Sequence, residues 1–209
     1  MIILITGAAG PTGQAIGDYF AKNGHTVLGV DKEEIDLLDR DAVQNLAAAI
    51  DRDYGRVDGV VHLVGGWRGG KTFAETDLAD WDLLHNLLIR TLQYVSLAFE
   101  PLLRKSENGR FVIVSAKAAE HPTAGGAAYA AAKAASEAWT LSLADALKDT
   151  QSAAAILVVK ALVNDAMRAA KPDARFAGFT DVHTLAEVVA GLYEQPAEQI
   201  NGRRLDLTQ

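Results

Sequence analysis

Tyr129 and Lys133 are the residues of this chain whose types and spacing most directly suggest proton chemistry. They stand four positions apart in an alanine-rich run, and residues at i and i+4 share one face of a helix. A neighbouring ammonium group favours the ionised form of a phenol, which makes the phenol a better proton relay near neutral pH. Many surface helices contain this spacing by chance. The pair alone is thus a weak signal of a proton relay, and it gains weight only if other segments of the chain supply a binding site.

A glycine-rich turn connects the first apolar run of the chain to its first helical pattern. Residues 6–13 read Thr-Gly-Ala-Ala-Gly-Pro-Thr-Gly. Glycines at this spacing permit a tight turn and close approach of the backbone to a pyrophosphate, and the following helix offers free N–H groups to the phosphates. A merely flexible turn is the alternative, but the position after an apolar strand favours dinucleotide binding. The predicted cofactor contacts in this turn are Gly7, Gly10, Pro11, Thr12 and Gly13.

Asp31 follows the second apolar run, at about the distance expected for an acid that hydrogen-bonds the adenosine ribose. Its carboxylate would repel a 2′-phosphate, which favours NADH over NADPH. Lys32 could receive that phosphate instead, and a simple turn role is the other interpretation of Asp31. The expected cofactor is NADH, with NADPH as the alternative.

Short β-branched runs alternate with longer helical patterns along the whole chain. This alternation predicts a Rossmann-type doubly wound α/β fold, with a mostly parallel sheet flanked by helices on both faces. No linker or internal repeat divides the chain, so residues 1–209 are predicted to form one domain. Strands are predicted at 2–5, 26–30, 57–64, 111–114, 154–159 and about 203–207, with a brief additional strand at 35–37. Helices are predicted at 13–22, about 39–53, 78–105, 127–148 and 184–194.

Composition excludes several classes of function. The net charge of −7 and the pI near 5.2 argue against nucleic acid or an anionic membrane as a partner. The chain has no cysteine, which excludes thiolate catalysis, and its five histidines lack metal-ligand spacing, so no metal is expected. The apolar start of the chain is too short for a signal peptide or a membrane span, and a cytoplasmic location is expected.

On these motifs the chain resembles the short-chain dehydrogenase/reductase family over nearly its whole length. The resemblance implies hydride transfer to or from nicotinamide C4, with Tyr129 moving the substrate proton. It also implies that Lys133 binds the nicotinamide ribose and lowers the pKa of Tyr129. The matching segments are the glycine-rich turn, Asp31, Asp36-Leu37, Val57–Gly65, Tyr129-x-x-x-Lys133 and the closing Ile200–Leu207.

The same resemblance implies further cofactor contacts. Asp36 and Leu37 correspond to an acidic pair that contacts the adenine, although a turn or helix-capping acid is an alternative for Asp36. Val64 and Gly65, at the end of the predicted strand 57–64, are implied as cofactor-binding residues.

Three departures from the family pattern bear on the substrate. Ala116 stands thirteen residues before Tyr129, where family members usually place a serine that polarises the substrate carbonyl. Leu88 stands where many carry an asparagine that supports a proton-relay water, and the usual Asn-Asn-Ala-Gly reads His62-Leu-Val-Gly65. Ser115 adjoins Ala116, but adjacent side chains of an extended chain point to opposite faces. We therefore expect no replacement for the missing serine.

The loop Val64-Gly-Gly-Trp-Arg-Gly-Gly70 closely resembles that of dihydropteridine reductases, a branch of the family that reduces quinonoid dihydropterins with NADH. That branch also carries Ala-Lys at the position of Ala116, and it has a proline where this chain has Lys160. A quinonoid dihydropterin is electron-poor and needs less carbonyl polarisation than a ketone. The resemblance implies substrate contacts at Trp67, which could stack on a flat ring, at Ala116 and at Tyr129. A tryptophan that pins its loop against the long helix or a neighbouring subunit is the alternative.

The leading prediction is therefore an NADH-dependent reductase of a quinonoid dihydropteridine or a similar flat acceptor. One alternative is a general short-chain carbonyl or quinone oxidoreductase, and another is an NAD(P)-binding sensor or scaffold with impaired catalysis. A small molecule is the expected substrate. Family members commonly pair through their long central helices, and the apolar patterns at 87–92 and 134–139 favour a homodimer or homotetramer.

Overall fold

The computed structural model describes residues 1–208 and is built around a six-stranded sheet. The strand order is β2-β1-β3-β4-β5-β8, and every pairing is parallel. Two further short strands, β6 and β7, form a separate parallel pair. The strands are β1 (Ile2–Thr6), β2 (Thr26–Val30), β3 (Gly59–His62), β4 (Arg110–Ala116), β5 (Ala153–Val159), β6 (Leu162–Val163), β7 (Thr180–Asp181) and β8 (Arg204–Asp206).

Helices cover both faces of the sheet, which confirms the predicted fold class. One core cluster joins the sheet to the helices at Arg40–Tyr54 (α2), Thr91–Leu103 (α4) and Ala127–Leu147 (α5), and a second joins it to those at Pro11–Lys22 (α1) and Val182–Gly191 (α7). No helix within residues 1–208 has the length and apolarity needed to cross a bilayer. The remaining helices are α3 (Leu78–His85), α6 (Asp165–Ala170) and α8 (Ala197–Ile200).

The order of the strands determines where a ligand can bind. Strands of such a sheet are buried on both faces and read as continuous apolar runs, as in β5, where all seven residues are buried. The chain passes from β1 to β2 on one side and later to β3 on the other. Ligands of open parallel sheets bind in the crevice beyond the carboxyl ends of the strands at such a reversal. The glycine-rich turn leaves β1 at this crevice.

The predicted strand at 35–37 is wrong. The chain instead makes successive turns after β2, because the N–H groups of Glu34 and Ile35 both donate to the carbonyl of Asp31. Asp36 Oδ1 accepts the N–H of Leu38 at 2.9 Å, a local bond that competes with strand pairing. Leu37 turns inward and is buried in the core. Strand β2 is consequently an edge of the sheet.

The long helix predicted at 78–105 is interrupted by a π-helical turn at Asn86–Arg90, between α3 and α4. Such turns are frequent at functional sites. The hydroxyl of Ser136 donates to the carbonyl of Leu88 at 2.8 Å, and that of Thr91 donates to the carbonyl of Leu87 at 2.7 Å. The side chain of Leu88 is buried, and a methyl group on Gly65 would lie 3.2 Å from Leu88 Cδ2. An apolar group thus occupies the place where many family members carry a proton-relay asparagine, while Asn86 is exposed.

Candidate active site

Three cavities follow one another along the carboxyl edge of the sheet. The turn cavity, about 330 Å³, lies between the glycine-rich turn and the segment after β2. The pair cavity, about 240 Å³, contains Tyr129 and Lys133 and shares Leu63, Val64 and Gly65 with the turn cavity. The outer cleft, about 720 Å³, opens from the pair cavity on the side of Trp67. A long ligand can therefore run from the turn to the Tyr-Lys pair and meet a second ligand there.

The glycine-rich turn has the conformation that a phosphate cradle requires. Gly7 has a φ of 78°, in the left-handed region, and its N–H donates to the carbonyl of Val30 at 2.9 Å. A Cβ on Gly13 would lie 2.5 Å from the carbonyl oxygen of Gly7, so helix α1 packs directly on the turn. Helix α1 begins at Pro11 without a side-chain cap, which leaves the N–H groups of its first turn free to bind an anion. The turn therefore fits a pyrophosphate.

Some residues of the glycine-rich turn line a cavity, and others support the turn from behind. Gly7 and Gly10 line the turn cavity, and Thr12 lines the pair cavity. Pro11 and Gly13 line neither: Pro11 is exposed at the start of α1, and Gly13 is buried against the turn. Their contribution is to begin the helix and to hold it close to the strand.

The residues predicted to contact adenosine surround the turn cavity. Asp31 Oδ2 accepts the N–H of Ala9 at 2.6 Å, which holds the carboxylate at the rim of the glycine-rich turn. Asp36 and Leu37 also line this cavity. Asp36 at the same time has the turn role given as its alternative, through its bond to Leu38, and Leu37 is only 7% exposed. Asp31 is thus the acid best placed to meet a ribose.

Tyr129 and Lys133 lie in the first two turns of α5, and both side chains line the pair cavity. The Nζ atom of Lys133 lies 5.9 Å from the centroid of the Tyr129 ring and donates to the carbonyl of Val114 at 2.7 Å. The helical spacing read from the sequence therefore brings the phenol and the ammonium to one site.

Burial changes the proton affinity of both groups. It lowers the pKa of Lys133 to about 8, against the opposing effect of the Glu137 carboxylate. It raises the pKa of Tyr129 above the ordinary value. The pKa of Tyr129 is therefore shifted in the direction opposite to that expected from the neighbouring cation, because the phenol loses contact with solvent. Tyr129 is consequently protonated at neutral pH, which suits a proton donor.

His62 is a site residue that the sequence did not identify. It lines the pair cavity at the end of β3, with Nδ1 2.8 Å from the hydroxyl of Thr6 and Nε2 3.3 Å from that of Thr91. Burial and the charge of Lys133 lower the pKa of His62 to about 3, so the ring is neutral. Its only signal in the sequence was the departure from the family's Asn-Asn-Ala-Gly.

Ala116 borders both the pair cavity and the outer cleft. The adjacent hydroxyl of Ser115 is buried and donates to Glu137 Oε1, whose other oxygen accepts from Arg204 Nε at 3.0 Å. Ser115 is therefore committed to a buried network on α5 and β8. A substrate in the outer cleft meets a methyl group at the position of the family's serine.

The loop that carries Trp67 is held by backbone contacts to the segment before α5. The N–H of Gly70 donates to the carbonyl of Gly125 at 2.9 Å. A Cβ on Gly69 would lie 2.5 Å from the Gly125 oxygen, and one on Gly125 would lie 2.2 Å from the Gly70 oxygen. Trp67 itself is 60% exposed and lines both the pair cavity and the outer cleft. The loop is thus anchored without the indole, which is free to contact a substrate.

Comparison with known proteins places this arrangement in a family. The model of the short chain dehydrogenase family matches residues 1–175. The NADP-dependent 3-hydroxy acid dehydrogenase YdfG of Salmonella typhi is 24% identical over 168 residues, which cover 72% of this chain and 68% of that protein. The 3-oxoacyl-(acyl-carrier-protein) reductase FabG of Thermotoga maritima is 30% identical over 154 residues, 64% of this chain and 62% of that protein.

Solved structures share the fold over the full chain. The oxidoreductase yciK of E. coli superposes with a TM-score of 0.85 at 23% identity, covering 100% of this chain and 95% of that one. A short chain dehydrogenase of Shigella flexneri complexed with NADP gives a TM-score of 0.85 at 24% identity, covering 100% of this chain and 97% of that one. With a family model that matches most of its length, the chain belongs to the short-chain dehydrogenase/reductase family and is an NAD(P)-dependent oxidoreductase.

Proposed function

We propose that this protein reduces a flat, activated acceptor of the quinonoid dihydropterin class. The observation that carries the proposal is the composition of the outer cleft, where an exposed indole, Trp67, and a phenol, Tyr129, face a methyl group, Ala116. An aromatic surface suits a planar ring. The absence of a hydroxyl at position 116 suits an acceptor that requires no polarised carbonyl. The named relatives act on 3-hydroxy acids and 3-oxoacyl groups, so the proposal rests on residues of this chain.

The reaction is a two-electron reduction divided between two donors. A nicotinamide cofactor, held by the glycine-rich turn and Lys133, would supply a hydride from its C4 position. Tyr129 donates the accompanying proton to the acceptor nitrogen and regains a proton from solvent, so the product is a tetrahydropterin. Lys133 would hold the ribose of the cofactor, and its ammonium would stabilise the phenolate of Tyr129. His62, neutral between Thr6 and Thr91, supports the floor of the same cavity.

We propose NADH as the cofactor because the carboxylate of Asp31 stands at the rim of the turn cavity, where a 2′-phosphate would have to lie. Like charges brought together in a binding site cost several kcal/mol. YdfG is named as NADP-dependent and the Shigella protein binds NADP, so the comparison of kcat/KM for NADH and NADPH is decisive. A preference for NADPH would overturn this part of the proposal.

The test of the function is turnover of a quinonoid dihydropterin, followed by the loss of NADH absorbance, beside a panel of ketones, quinones and 3-oxo acids. We expect efficient reduction of the pterin and poor reduction of simple ketones. Efficient reduction of ketones without pterin turnover would instead indicate a general carbonyl reductase. Cofactor binding without oxidation by any acceptor would indicate a sensor or scaffold.

Ala116→Ser is expected to widen the range of acceptors. The new hydroxyl would enter the outer cleft at the position where a serine polarises a carbonyl, and one such donor contributes about 10²–10³ in rate where charge builds on oxygen. We expect kcat/KM for ketones to rise at least about tenfold, with little change for the quinonoid pterin. Ser115→Ala is the matched control, because the Ser115 hydroxyl donates to Glu137 rather than to a ligand. Its loss should leave the ratio of ketone to pterin turnover unchanged.

The pH dependence of cofactor binding should follow Lys133. Its pKa of about 8 means that the ammonium is present below this pH and lost above it. We expect the dissociation constant for NADH, measured by fluorescence titration, to rise as the pH increases through 8. Lys133→Met should bind NADH weakly at every pH and lose this dependence. A flat profile in the unmodified protein would contradict the assignment.

We also propose that two copies pair through α4 and α5. Leu97 is 62% exposed and lines an apolar groove of about 290 Å³ together with Trp139, and Leu141, also on α5, is 46% exposed. Exposed leucines on adjacent helices are typical of a surface that another protein covers. Light scattering should give the mass of a dimer or tetramer, and Leu97→Glu should reduce it. A monomer at micromolar concentration would refute the proposal.

A further inference from the structure

Lys160 is the first residue after β5 and lies where the pair cavity and the outer cleft meet. It lines both cavities, together with Trp67, Ala116 and Tyr129. Its stem passes Gly178, where a Cβ would lie 3.4 Å from Lys160 Cδ. The Nζ atom has one long contact, 3.4 Å to the carbonyl of Ala177. The ammonium is therefore exposed at the edge of the cleft and only weakly held.

A second lysine borders the same cleft, and neither ammonium group pairs with a carboxylate in the described part of the chain, although the backbone N–H of Lys71 donates to Glu75 Oε2 at 2.7 Å. Lys71 lines the outer cleft at the end of the Trp67 loop. Neither the pair cavity nor the outer cleft is lined by an aspartate or glutamate. Among residues 1–208, Lys71 and Lys160 take part in no ion pair, whereas other cations of nearby segments do: Arg68 with Asp80 at 3.9 Å, Lys117 with Asp206 at 2.9 Å and Arg168 with Asp181 at 2.9 Å.

This distribution is unusual for a protein with a net charge of −7. Acidic residues outnumber basic ones over the chain as a whole, yet the cleft beside Tyr129 presents only cations. A cleft lined by one sign of charge attracts ligands of the opposite sign and raises their local concentration. Solvated surface lysines would explain one unpaired ammonium group, but not the absence of carboxylates from both walls.

We infer that the acceptor carries an anionic substituent and that Lys160 binds it. This inference rests on the proposed function and specifies its substrate class, a pterin-like ring with a carboxylate on its side chain. The ring would lie against Trp67 within reach of Tyr129, and the carboxylate would extend to Lys160. Lys71, which also lines the cleft, adds attraction at longer range. Charge-assisted hydrogen bonds of this kind are stronger than neutral ones and are directional.

The experiment compares two oxidised pterins that differ in charge. Pterin-6-carboxylate and 6-hydroxymethylpterin are titrated into the protein by calorimetry in the presence of saturating NAD⁺. We expect the carboxylate to bind about tenfold more tightly, the factor that one hydrogen bond to a charged group provides. Lys160→Gln should remove most of this preference for the carboxylate, and Lys160→Arg should retain it. Lys148→Gln is the charge-matched control, because Lys148 lies at the far end of α5 beside Asp145.

The outcomes separate this inference from the proposed function. Equal affinity for the two pterins would refute the inference that the acceptor carries an anionic substituent bound by Lys160. A preference for the carboxylate that persists in Lys160→Gln would refute it as well. Neither result would affect the proposal of pterin reduction. A ratio that depends on Lys160, in a protein that turns over no quinonoid pterin, would support the anion site and refute the proposed reaction. Increasing salt should weaken binding of the carboxylate more than that of the alcohol.

Discussion

Tyr129→Phe is expected to lower kcat for acceptor reduction by about 10²–10⁴-fold, the contribution typical of a positioned general acid. The substitution removes one oxygen and leaves the ring in the pair cavity. The phenol lines the cavity rather than filling the core, so the loss of fold stability should be small. NADH should still bind, because Lys133 keeps its bond to the Val114 carbonyl. Steady-state kinetics with a cofactor titration measures both quantities.

Tyr19→Phe is the matched control for this experiment. Tyr19 is half-buried on α1, packed edge-on against Phe20 and remote from the cavities. Removal of its hydroxyl should leave kcat unchanged. If Tyr129→Phe retained more than about a tenth of the activity, the acceptor would have to receive its proton from solvent or from another group, and the assignment of Tyr129 as the acid would be wrong.

Gly13→Ala is expected to weaken cofactor binding by about 10–10²-fold, because overpacking of a tight contact costs about 1–3 kcal/mol. The added Cβ would lie 2.5 Å from the oxygen of Gly7 and 2.6 Å from Ala8 Cα. These are backbone atoms that cannot rotate away, so the turn must open and its N–H groups must leave their positions. The dissociation constant for NADH and the midpoint of thermal unfolding should both be measured.

Gly17→Ala provides the control on the same helix. A Cβ there would meet only side-chain atoms, 3.7 Å from Ile5 Cδ1 and 3.8 Å from Val27 Cγ1, which is ordinary contact. Alanine is favoured over glycine within a helix by about 1 kcal/mol, so this variant should be as stable as the parent or more so, with unchanged affinity. Unchanged affinity in Gly13→Ala as well would mean that the turn does not hold the phosphates.

The features predicted correctly from the sequence depend on short-range rules. The alternation of apolar strands with helices predicted the α/β sheet, because hydrophobic periodicity reports which faces are buried. The spacing of Tyr129 and Lys133 predicted one shared site, because four residues complete a helical turn. The glycine-rich turn followed from the same local geometry, since only glycine adopts the φ of 78° at position 7 without strain.

Where the prediction was wrong, hydrogen bonds and packing contacts that hydrophobic periodicity does not report decided the structure. Residues 35–37 contain apolar side chains compatible with a strand, but the local bond from Leu38 to Asp36 produces a turn and Leu37 is drawn into the core. The helix predicted at 78–105 is interrupted where Ser136, far along the chain, bonds the carbonyl of Leu88. Neither contact changes the hydrophobic periodicity of the sequence, so neither could be predicted from it.

The sequence by itself determined the family and the alternation of strands and helices, and it predicted that Tyr129 and Lys133 share one site, because each of these follows from local spacing and residue type. Only the tertiary structure decided how the site is charged. Burial raises the pKa of Tyr129 although a cation lies nearby. The same packing turns Ser115 to Glu137 and brings Lys160 beside Tyr129. These properties depend on desolvation and on distances between strands and helices far apart in the chain, and no spacing along the sequence encodes them.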